Sequence, residues 1–581
     1  MGLRFPRDPL RRDGGSKISD READMIKGTV IIKGKKYAVE AEAGVTALSL
    51  FRAHGGSAYA PCGGRGTCGK CRMYVKGCVS APDERERSLL TERERESGLR
   101  LACMCRLLGD FEIAPTDADM RVQTASRGVS YTKEPMVQTE RKDGKTVFTT
   151  VFGEPYAEDE GARNLGLAVD IGTTTVAVYL CDMDSAEVIG VRGFRNPQSA
   201  YGADVISRMD KIMKEPEALG AQQRLVCSEI RGAAEALCHE RSLDPLDIRA
   251  AVLCGNTVMQ HIAAGIDPVS IAVAPFTAPT LFGDFYDARA LGLLPNEKAL
   301  VYFAPCFASY VGGDIACGMI ATGLDACTER VLFVDIGTNG EIGLSTEKGL
   351  YFCSAAAGPA FEGAHIACGM AGVSGAVGKV FVRDGRIGYE TVDGAPAVGI
   401  CGSGIVDAVA VMLDTGLLDE TGLITEADEA GDFADYIGQD GDGDPVFLLD
   451  REKNIYICAK DIREIQLAKA AVCAGVRTLL HTAGVDSESI SRVVIAGGFG
   501  SHLRAESIRR IGLLPPIGVE KYEFAGNAAG AGAVAILLGR EPREAAHTVC
   551  AKSTYTELSQ SAYFMEKYID EMMFSEDGEE E

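Results

Sequence analysis

The 581-residue chain contains no tryptophan, only 7% aromatic residues, and few basic side chains for its acids: 59 Lys and Arg stand against 83 Asp and Glu. The resulting formal charge of -24 repels phosphate backbones and anionic lipid, which speaks against a nucleic-acid or membrane-surface role. No apolar run approaches the roughly 20 residues that span a bilayer; the strongest, Ala528–Leu538, is short and built of small residues. The opening MGLRFPRDPLRRDGG lacks the apolar core of a secretory signal, and Pro6 stands where a myristoylation signal needs Ser or Thr. Hydrophobic residues make up 46% and charged ones 24%, the profile of a folded globular protein, and the length calls for several domains. Most of the 19 cysteines are scattered singly through apolar segments, as at Cys254 and Cys317. Such thiols behave as small hydrophobes. They point to a reducing cytoplasm rather than a disulfide scaffold.

Residues 1–25 are polar and aperiodic, as expected of a disordered tail. TVIIKG and KYAVEAEAG then read as two strands, VTALSLFRAHG as a helix, 61–72 as a Gly/Cys-rich loop and PDERERSLLTERERESG as a charged helix. The charged run 83–96 is expected as its solvated face. With CRLLGDFEIAP these close a first domain at 26–118. Residues 119–164 are polar with one weak strand signal, TVFTTVF, and are expected as a linker module. From 165 onward strands and helices alternate as in an α/β fold. LAVDIGTTTVAVYL (167–180) and LFVDIGTNGEIGL (332–344) repeat one strand–DIGT–strand pattern, which predicts a duplicated unit with halves 165–330 and 331–545. Residues 546–581, ending in EKYIDEMMFSEDGEEE, are expected as an acidic tail.

Cys62, Cys68 and Cys71 have the spacing C-x5-C-x2-C, and Cys103 follows after the charged helix. Four thiolates suit an iron–sulfur cluster, and the plant-type pattern C-x4-C-x2-C…C differs by one residue. Gly63, Gly64, Gly66 and Gly69 allow the unusual backbone angles and free N–H groups that a cluster loop needs. A zinc site of Cys68, Cys71, Cys103 and Cys105 is the competing reading; it leaves Cys62 and its glycines unexplained. Gly64–Lys70 also spells part of a phosphate loop, but Cys71 replaces the Ser or Thr that would ligate magnesium. Cys78 is expected as a core thiol. The x5 spacing resembles the adrenodoxin-like 2Fe-2S ferredoxins, and RLACMCRLLGD resembles their closing motif, which implies Cys103 rather than Cys105 as the fourth ligand.

Asp170-Ile171-Gly172-Thr173-Thr174-Thr175 and Asp335-Ile336-Gly337-Thr338-Asn339-Gly340-Glu341 each place a carboxylate at a strand end before a Gly-containing hairpin. Backbone N–H groups and hydroxyls of such a hairpin can surround a phosphate, and the carboxylate can hold Mg2+ through water. In VVIAGGFGSHL (493–503) an apolar strand runs into Gly497 and Gly498, where absent side chains permit close approach of a nucleotide. In this order the three pieces resemble the phosphate-1, phosphate-2 and adenosine motifs of the ASKHA superfamily of kinases, chaperones and actin. That resemblance implies two RNase H-like halves with ATP between them, Asp170 and Asp335 facing Mg2+, and Gly497 and Gly498 beside the adenosine. Glu341 is the candidate to orient or deprotonate the attacking water. GICGSGIVDAV (399–409) and GNAAGAGAVAILLG (526–539) are read as tightly packed helices.

The joined 2Fe-2S module, linker and ASKHA ATPase, together with AAGPAFEGAHIACGM (356–370), resemble the reductive activators of corrinoid-dependent enzymes over about residues 28–545. The resemblance implies a β-grasp ferredoxin-type domain, a linker module and a duplicated RNase H-like ASKHA ATPase domain, an α/β and α+β multidomain chain. It implies a 2Fe-2S cluster, ATP and Mg2+ as cofactors. It implies a corrinoid protein and a low-potential electron donor as partners, and is compatible with a homodimer. The activity implied is one-electron reduction of inactive Co(II) corrinoid to Co(I) in a methyltransferase system. A plant-type cluster near roughly -400 mV faces an uphill step of about 1.4 kcal/mol per 59 mV, which nucleotide hydrolysis between closing halves can drive. The alternatives are an activator of the 2-hydroxyacyl-CoA dehydratase type, whose family shares a 4Fe-4S cluster across a dimer, a redox-sensing small-molecule kinase, and a plain electron-transfer module on an ASKHA scaffold.

Overall fold

A computed structural model describes residues 25–32, 35–54, 64, 66, 69, 71–90, 92–116, 130–142, 145–153, 155–158, 162–498 and 502–574. The chain forms two compact units, Met1–Thr116 and Asp117–Glu581. Of the expected N-terminal tail only Met25 falls within the described residues, where it opens the first strand.

The first unit is built on a five-stranded sheet in the order Lys35–Glu42, Met25–Ile32, Leu107–Pro115, Arg72–Val79, Leu99–Leu101. Met25–Ile32 runs antiparallel to Lys35–Glu42 and parallel to Leu107–Pro115, with Val30 opposite Ile113. The helix Ala47–Ala53, capped by the Thr46 hydroxyl accepting from Ser49 N at 3.2 Å, buries Leu48, Leu50 and Phe51 against Val30, Val75 and Ile113. This is the β-grasp arrangement.

Two expectations for this unit need correction. The charged stretch forms two short helices, Glu84–Leu89 and Glu92–Glu96, because Leu90 turns extended between them and buries its side chain. It is not wholly a solvated face either. Glu86 is buried, and its carboxylate takes a two-pronged ion pair from Arg100 at 2.8 Å per contact plus the Leu101 N–H at 2.8 Å. Those donors have no water to turn to, so the acid is required there. Cys78, expected in the core, is exposed. The pairing of Arg72–Val79 with Leu107–Pro115 shifts register between Gly77 and Val79, with Gly77 at φ +109°, and this bulge turns the thiol outward.

The second unit holds two six-stranded sheets that share a five-strand order and differ in the edge strand each adds. In the first lobe the order is Glu187–Arg195, Thr175–Asp182, Leu165–Ile171, Ile248–Gly255, Leu300–Phe303, Phe285–Asp287. In the second lobe it is Ser553–Tyr555, Gly349–Ala355, Gly340–Thr346, Val331–Ile336, Arg492–Ala496, Tyr522–Gly526. Each lobe has an antiparallel three-strand meander followed by parallel strands reached through helices. That shared order is the RNase H-like unit, present twice.

The cores explain why the lobes act as one unit. Helix Ala528–Leu538 follows the second sheet in sequence, yet Ala533, Ile536 and Leu537 are buried against Ala168, Ala177 and Val252 of the first. It meets helix Gly313–Thr322 so closely that a Cβ on Gly532 would lie 1.9 Å from the Cys317 carbonyl. The Gly/Ala run is therefore helix packing. Residues 137–158 form a three-stranded sheet, not merely a connector. Met136, Val137 and Phe148 join the first lobe's core, with the Arg249 guanidinium 3.7 Å from the Phe148 ring centre. The expected acidic tail is folded as far as Phe574: Ser553–Tyr555 is an edge strand, Ala562–Asp570 a helix, and Phe574 is buried beside the Lys469 ammonium.

Candidate functional site: a carboxylate-lined cleft and a cysteine pair

Both DIGT hairpins end at one cleft of the second unit. Asp170 sits opposite Ala177 in the first hairpin, and Asp335 sits opposite Glu341 in the second. The tight turn after Asp170 requires Gly172, where a Cβ would lie 2.6 Å from the Thr175 carbonyl. The second turn is closed by Gly337 N donating to the Asn339 carbonyl at 2.9 Å. Thr173 is buried; its hydroxyl accepts from Asn256 Nδ2 at 2.9 Å and its carbonyl from Arg208 Nη2 at 2.6 Å.

Acidic groups crowd this floor. Burial pushes the Asp170 carboxyl up to about 6, moderated by a hydrogen bond from Asn527 Nδ2 at 2.9 Å. Burial, then the charges of Asp170 and Glu362, push Asp335 up to about 7. Glu341 is buried and held well above the usual carboxylate range by desolvation and by Asp314 and Asp335, while Asn339 donates to it. Asp314, in the first turn of helix Gly313–Thr322, is raised by burial and then by Asp335 and Asp170. Carboxylates so placed hold protons that a cation could replace.

Five contributors to this floor were not singled out in the sequence. Asp314 and Asn527 lie in stretches whose composition reads as plain helix, and Glu362 lies in AAGPAFEGAHIACGM, which carries the family resemblance without marking a site residue. Glu362 accepts from Thr174 Oγ1 at 2.6 Å and from Thr338 Oγ1 at 2.9 Å, one hydroxyl from each hairpin. Arg208 is fully buried and Asn256 caps a helix; neither carries a local motif. Gly497 has φ +91°, and a Cβ there would lie 2.5 Å from Asp335 Oδ1 and 2.9 Å from the Ile336 carbonyl. Its missing side chain serves the carboxylate directly. Among the described residues, a Cβ on Gly498 would meet nothing within 4 Å.

Among the described residues no group of three or more His, Cys, Asp or Glu side chains is arranged to ligate a metal ion directly. A floor of carboxylates at this looser spacing suits Mg2+, which keeps several waters and is commonly held by one or two carboxylates plus phosphate.

In the first unit, Cys62 and Cys68 lie outside the described residues. Cys71 Sγ and Cys103 Sγ are 3.2 Å apart, and the Cys103 N–H points to Cys71 Sγ at 3.5 Å. Two thiolates this near, with an N–H on one sulfur, fit adjacent ligands of a single iron. Gly64, Gly66 and Gly69 have φ +87°, +73° and +62°, angles natural to glycine in a loop wrapping a cluster. Cys105 is instead buried among Leu101, Leu107 and Phe51, and burial pushes its thiol up to about 11. A zinc set that includes Cys105 does not fit, since that sulfur is committed to the core.

Comparison with known proteins agrees with this architecture. Residues 30–108 match the 2Fe-2S iron–sulfur cluster binding domain, 165–327 the RACo middle region, and 329–581 the C-terminal ASKHA domain of RACo. The corrinoid activation enzyme RamQ of Eubacterium limosum is 34% identical over 424 residues, spanning 71% of this chain and 70% of that protein. The Co(II) methylated amine-specific corrinoid protein reductase of Methanosarcina barkeri is 24% identical over 391 residues, 62% of this chain and 67% of the relative. A solved reductive activator for a corrinoid, iron–sulfur protein superposes with TM-score 0.70 at 31% identity, covering 94% of this chain and 98% of that one. With its three parts matched in order, the chain belongs to the RACo family of reductive activators, enzymes that join a 2Fe-2S domain to an ASKHA ATPase domain.

Proposed function

We propose that this protein is an ATP-dependent activase that returns an inactive Co(II) corrinoid protein to Co(I), drawing single electrons from a low-potential donor in the reducing cytoplasm. One observation supports the ATP-dependent part above all: the matched carboxylates Asp170 and Asp335 face a common cleft, and Glu362 accepts from a threonine of each hairpin. A 2Fe-2S cluster held by Cys62, Cys68, Cys71 and Cys103 supplies one-electron chemistry at low potential when bound.

The chain's own groups divide the remaining work. Asp170, oriented by Asn527, and Asp335 would hold Mg2+ through its waters, and the ion would there offset the phosphate charge. Thr173, Thr174, Thr175, Thr338 and Asn339 offer hydroxyls, amide and backbone N–H groups to the phosphates, with Gly172 and Gly337 keeping the turns tight. Gly497 and Gly498 leave room for the rest of the nucleotide. Glu341, paired with Asp335 across the second hairpin, orients the attacking water and takes its proton only once its own has been given up. Lobe closure around ATP, and reopening after hydrolysis, changes the affinity for the docked corrinoid protein.

The test mixes the iron-reconstituted full chain with a Co(II) corrinoid protein and a low-potential reductant, and follows corrinoid absorbance with and without Mg-ATP. Co(I) should accumulate only with the nucleotide. Equal reduction without it overturns the proposal.

A further inference from the structure

Among the described residues, Glu362 is the one acid of the cleft seen to hold hydroxyls from both hairpins in its own carboxylate. Thr174 Oγ1 donates to Oε2 at 2.6 Å and Thr338 Oγ1 to Oε1 at 2.9 Å. Thr174 belongs to the first lobe, while Thr338 and Glu362 belong to the second. A planar anion with two oxygens, each taking a hydroxyl from an opposing phosphate hairpin, has the donor pattern that a terminal phosphoryl group would require there. The residue also lies within the field of Asp335 and of the buried Arg208 guanidinium, and so adds negative charge where phosphate must come.

The backbone carrying it is firmly placed. Pro359–Glu362 is a single turn between Gly358 and Gly363, at φ +78° and +75°. Phe361 is fully buried in the second lobe's core, and a Cβ on Gly363 would come within 2.6 Å of the Met370 backbone. Release of the two hydroxyls therefore needs only a rotation of the Glu362 side chain, with no movement of the turn.

We propose that Glu362 is a positioning residue, an internal phosphate mimic that clasps Thr174 and Thr338 across the cleft and must be displaced by the terminal phosphate of a bound nucleoside triphosphate. This rests on the reading of the cleft as a nucleotide site. The competition makes the clasp selective: a diphosphate, lacking the third phosphoryl group, leaves Glu362 on its hydroxyls, whereas a triphosphate takes them. Binding of the triphosphate is thereby tied to exchanging one contact between the lobes.

The experiment is calorimetric titration of the full chain with the non-hydrolysed β,γ-imido analogue of ATP and, separately, with ADP, both in Mg2+ buffer. Wild type is compared with Glu362→Gln and Glu362→Ala, and melting temperatures are recorded to show that each variant is folded. Removing a charge-assisted acceptor that competes for two hydroxyls should tighten the analogue about tenfold in Glu362→Ala. The ADP affinity should stay within about twofold, and Glu362→Gln, which keeps an uncharged acceptor, should fall between. Equal shifts for both nucleotides, or weaker analogue binding in folded variants, overturn the clasp while leaving the nucleotide site intact. A wild type that binds neither nucleotide overturns the site itself, and the clasp with it.

Discussion

Asn527 Nδ2 donates to Asp170 Oδ2 at 2.9 Å across 357 positions of sequence, while its own Oδ1 accepts from Gly530 N at 2.7 Å. One amide thus starts the helix Ala528–Leu538 and orients the first hairpin's carboxylate. The two tasks need opposite ends of the side chain, so they can be separated by substitution. Asn527→Asp keeps a good helix cap but replaces the donor with a second acid beside Asp170. It should melt within a few degrees of wild type yet bind Mg-nucleotide about tenfold more weakly at pH 7, with binding shifted to higher pH. Asn527→Ala loses both contacts and should also cost about 1 kcal/mol of stability through the lost cap. Unchanged Mg-nucleotide affinity in Asn527→Asp would show that the amide serves the helix alone.

The raised carboxyls give the cleft a defined response to pH. Asp170 and Asp335 titrate near 6 and 7 in the folded protein, against about 3.9 for an unfolded aspartate. Between those limits the native state binds more protons than the unfolded state, so metal-free stability falls as pH rises from about 4 to about 7. Mg2+ competes with the same protons, so nucleotide affinity should climb over pH 6–7. Thermal unfolding in EDTA should give a higher melting temperature at pH 6 than at pH 7.5, and saturating Mg-nucleotide should narrow that gap. An EDTA melting temperature that rises with pH over this range contradicts the assignment.

The cysteines of the first unit sort by surroundings. Cys71→Ser and Cys103→Ser should each lose most bound iron and the visible absorption of the reconstituted protein, since their sulfurs are neighbours. Cys105→Ser should keep both but lose about 1–3 kcal/mol, because a hydroxyl replaces a thiol buried in an apolar core. Cys78→Ser, at an exposed bulge, should change neither. Iron and acid-labile sulfide content, with chemical unfolding, separate these cases. Retained iron and colour in Cys103→Ser would return Cys105 to consideration as a ligand.

What could be read in advance depended on whether a signal was local. The DIGT tetrads were legible because strand, turn and carboxylate are consecutive, so a repeat exposes both hairpins at once. Of the cysteine loop's ligand set, the structure brings Cys71 and Cys103 together, while Cys62 and Cys68 lie outside the described residues. Glu362, Asp314 and Asn527 reach the cleft only through packing between distant segments, and no periodicity marks an Asn that caps a helix as also serving an aspartate. The charged run misled because composition cannot distinguish a solvated Glu from Glu86, whose partner Arg100 lies beyond the next helix. The acidic end misled similarly: its net charge hides Phe574, held in place where Lys469 Nζ donates to the Met573 carbonyl at 2.5 Å.

Gly497 and Gly498 look interchangeable in sequence but differ in what surrounds them. Gly497 combines a left-handed φ of +91° with an Asp335 oxygen 2.5 Å from the place a Cβ would take. Alanine there must strain its own backbone, by about 1 kcal/mol or more, and push Asp335 off the floor it shares with Asp170. A Cβ on Gly498 meets none of the described residues within 4 Å. Gly497→Ala should therefore lower both the melting temperature and Mg2+-dependent nucleotide affinity. Gly498→Ala should leave the melting temperature unchanged and weaken nucleotide binding with or without Mg2+. The Mg2+ dependence carries the distinction, because only the first substitution displaces a carboxylate. If Gly497→Ala weakens binding equally in EDTA, its role lies in making room for the nucleotide rather than in seating Asp335.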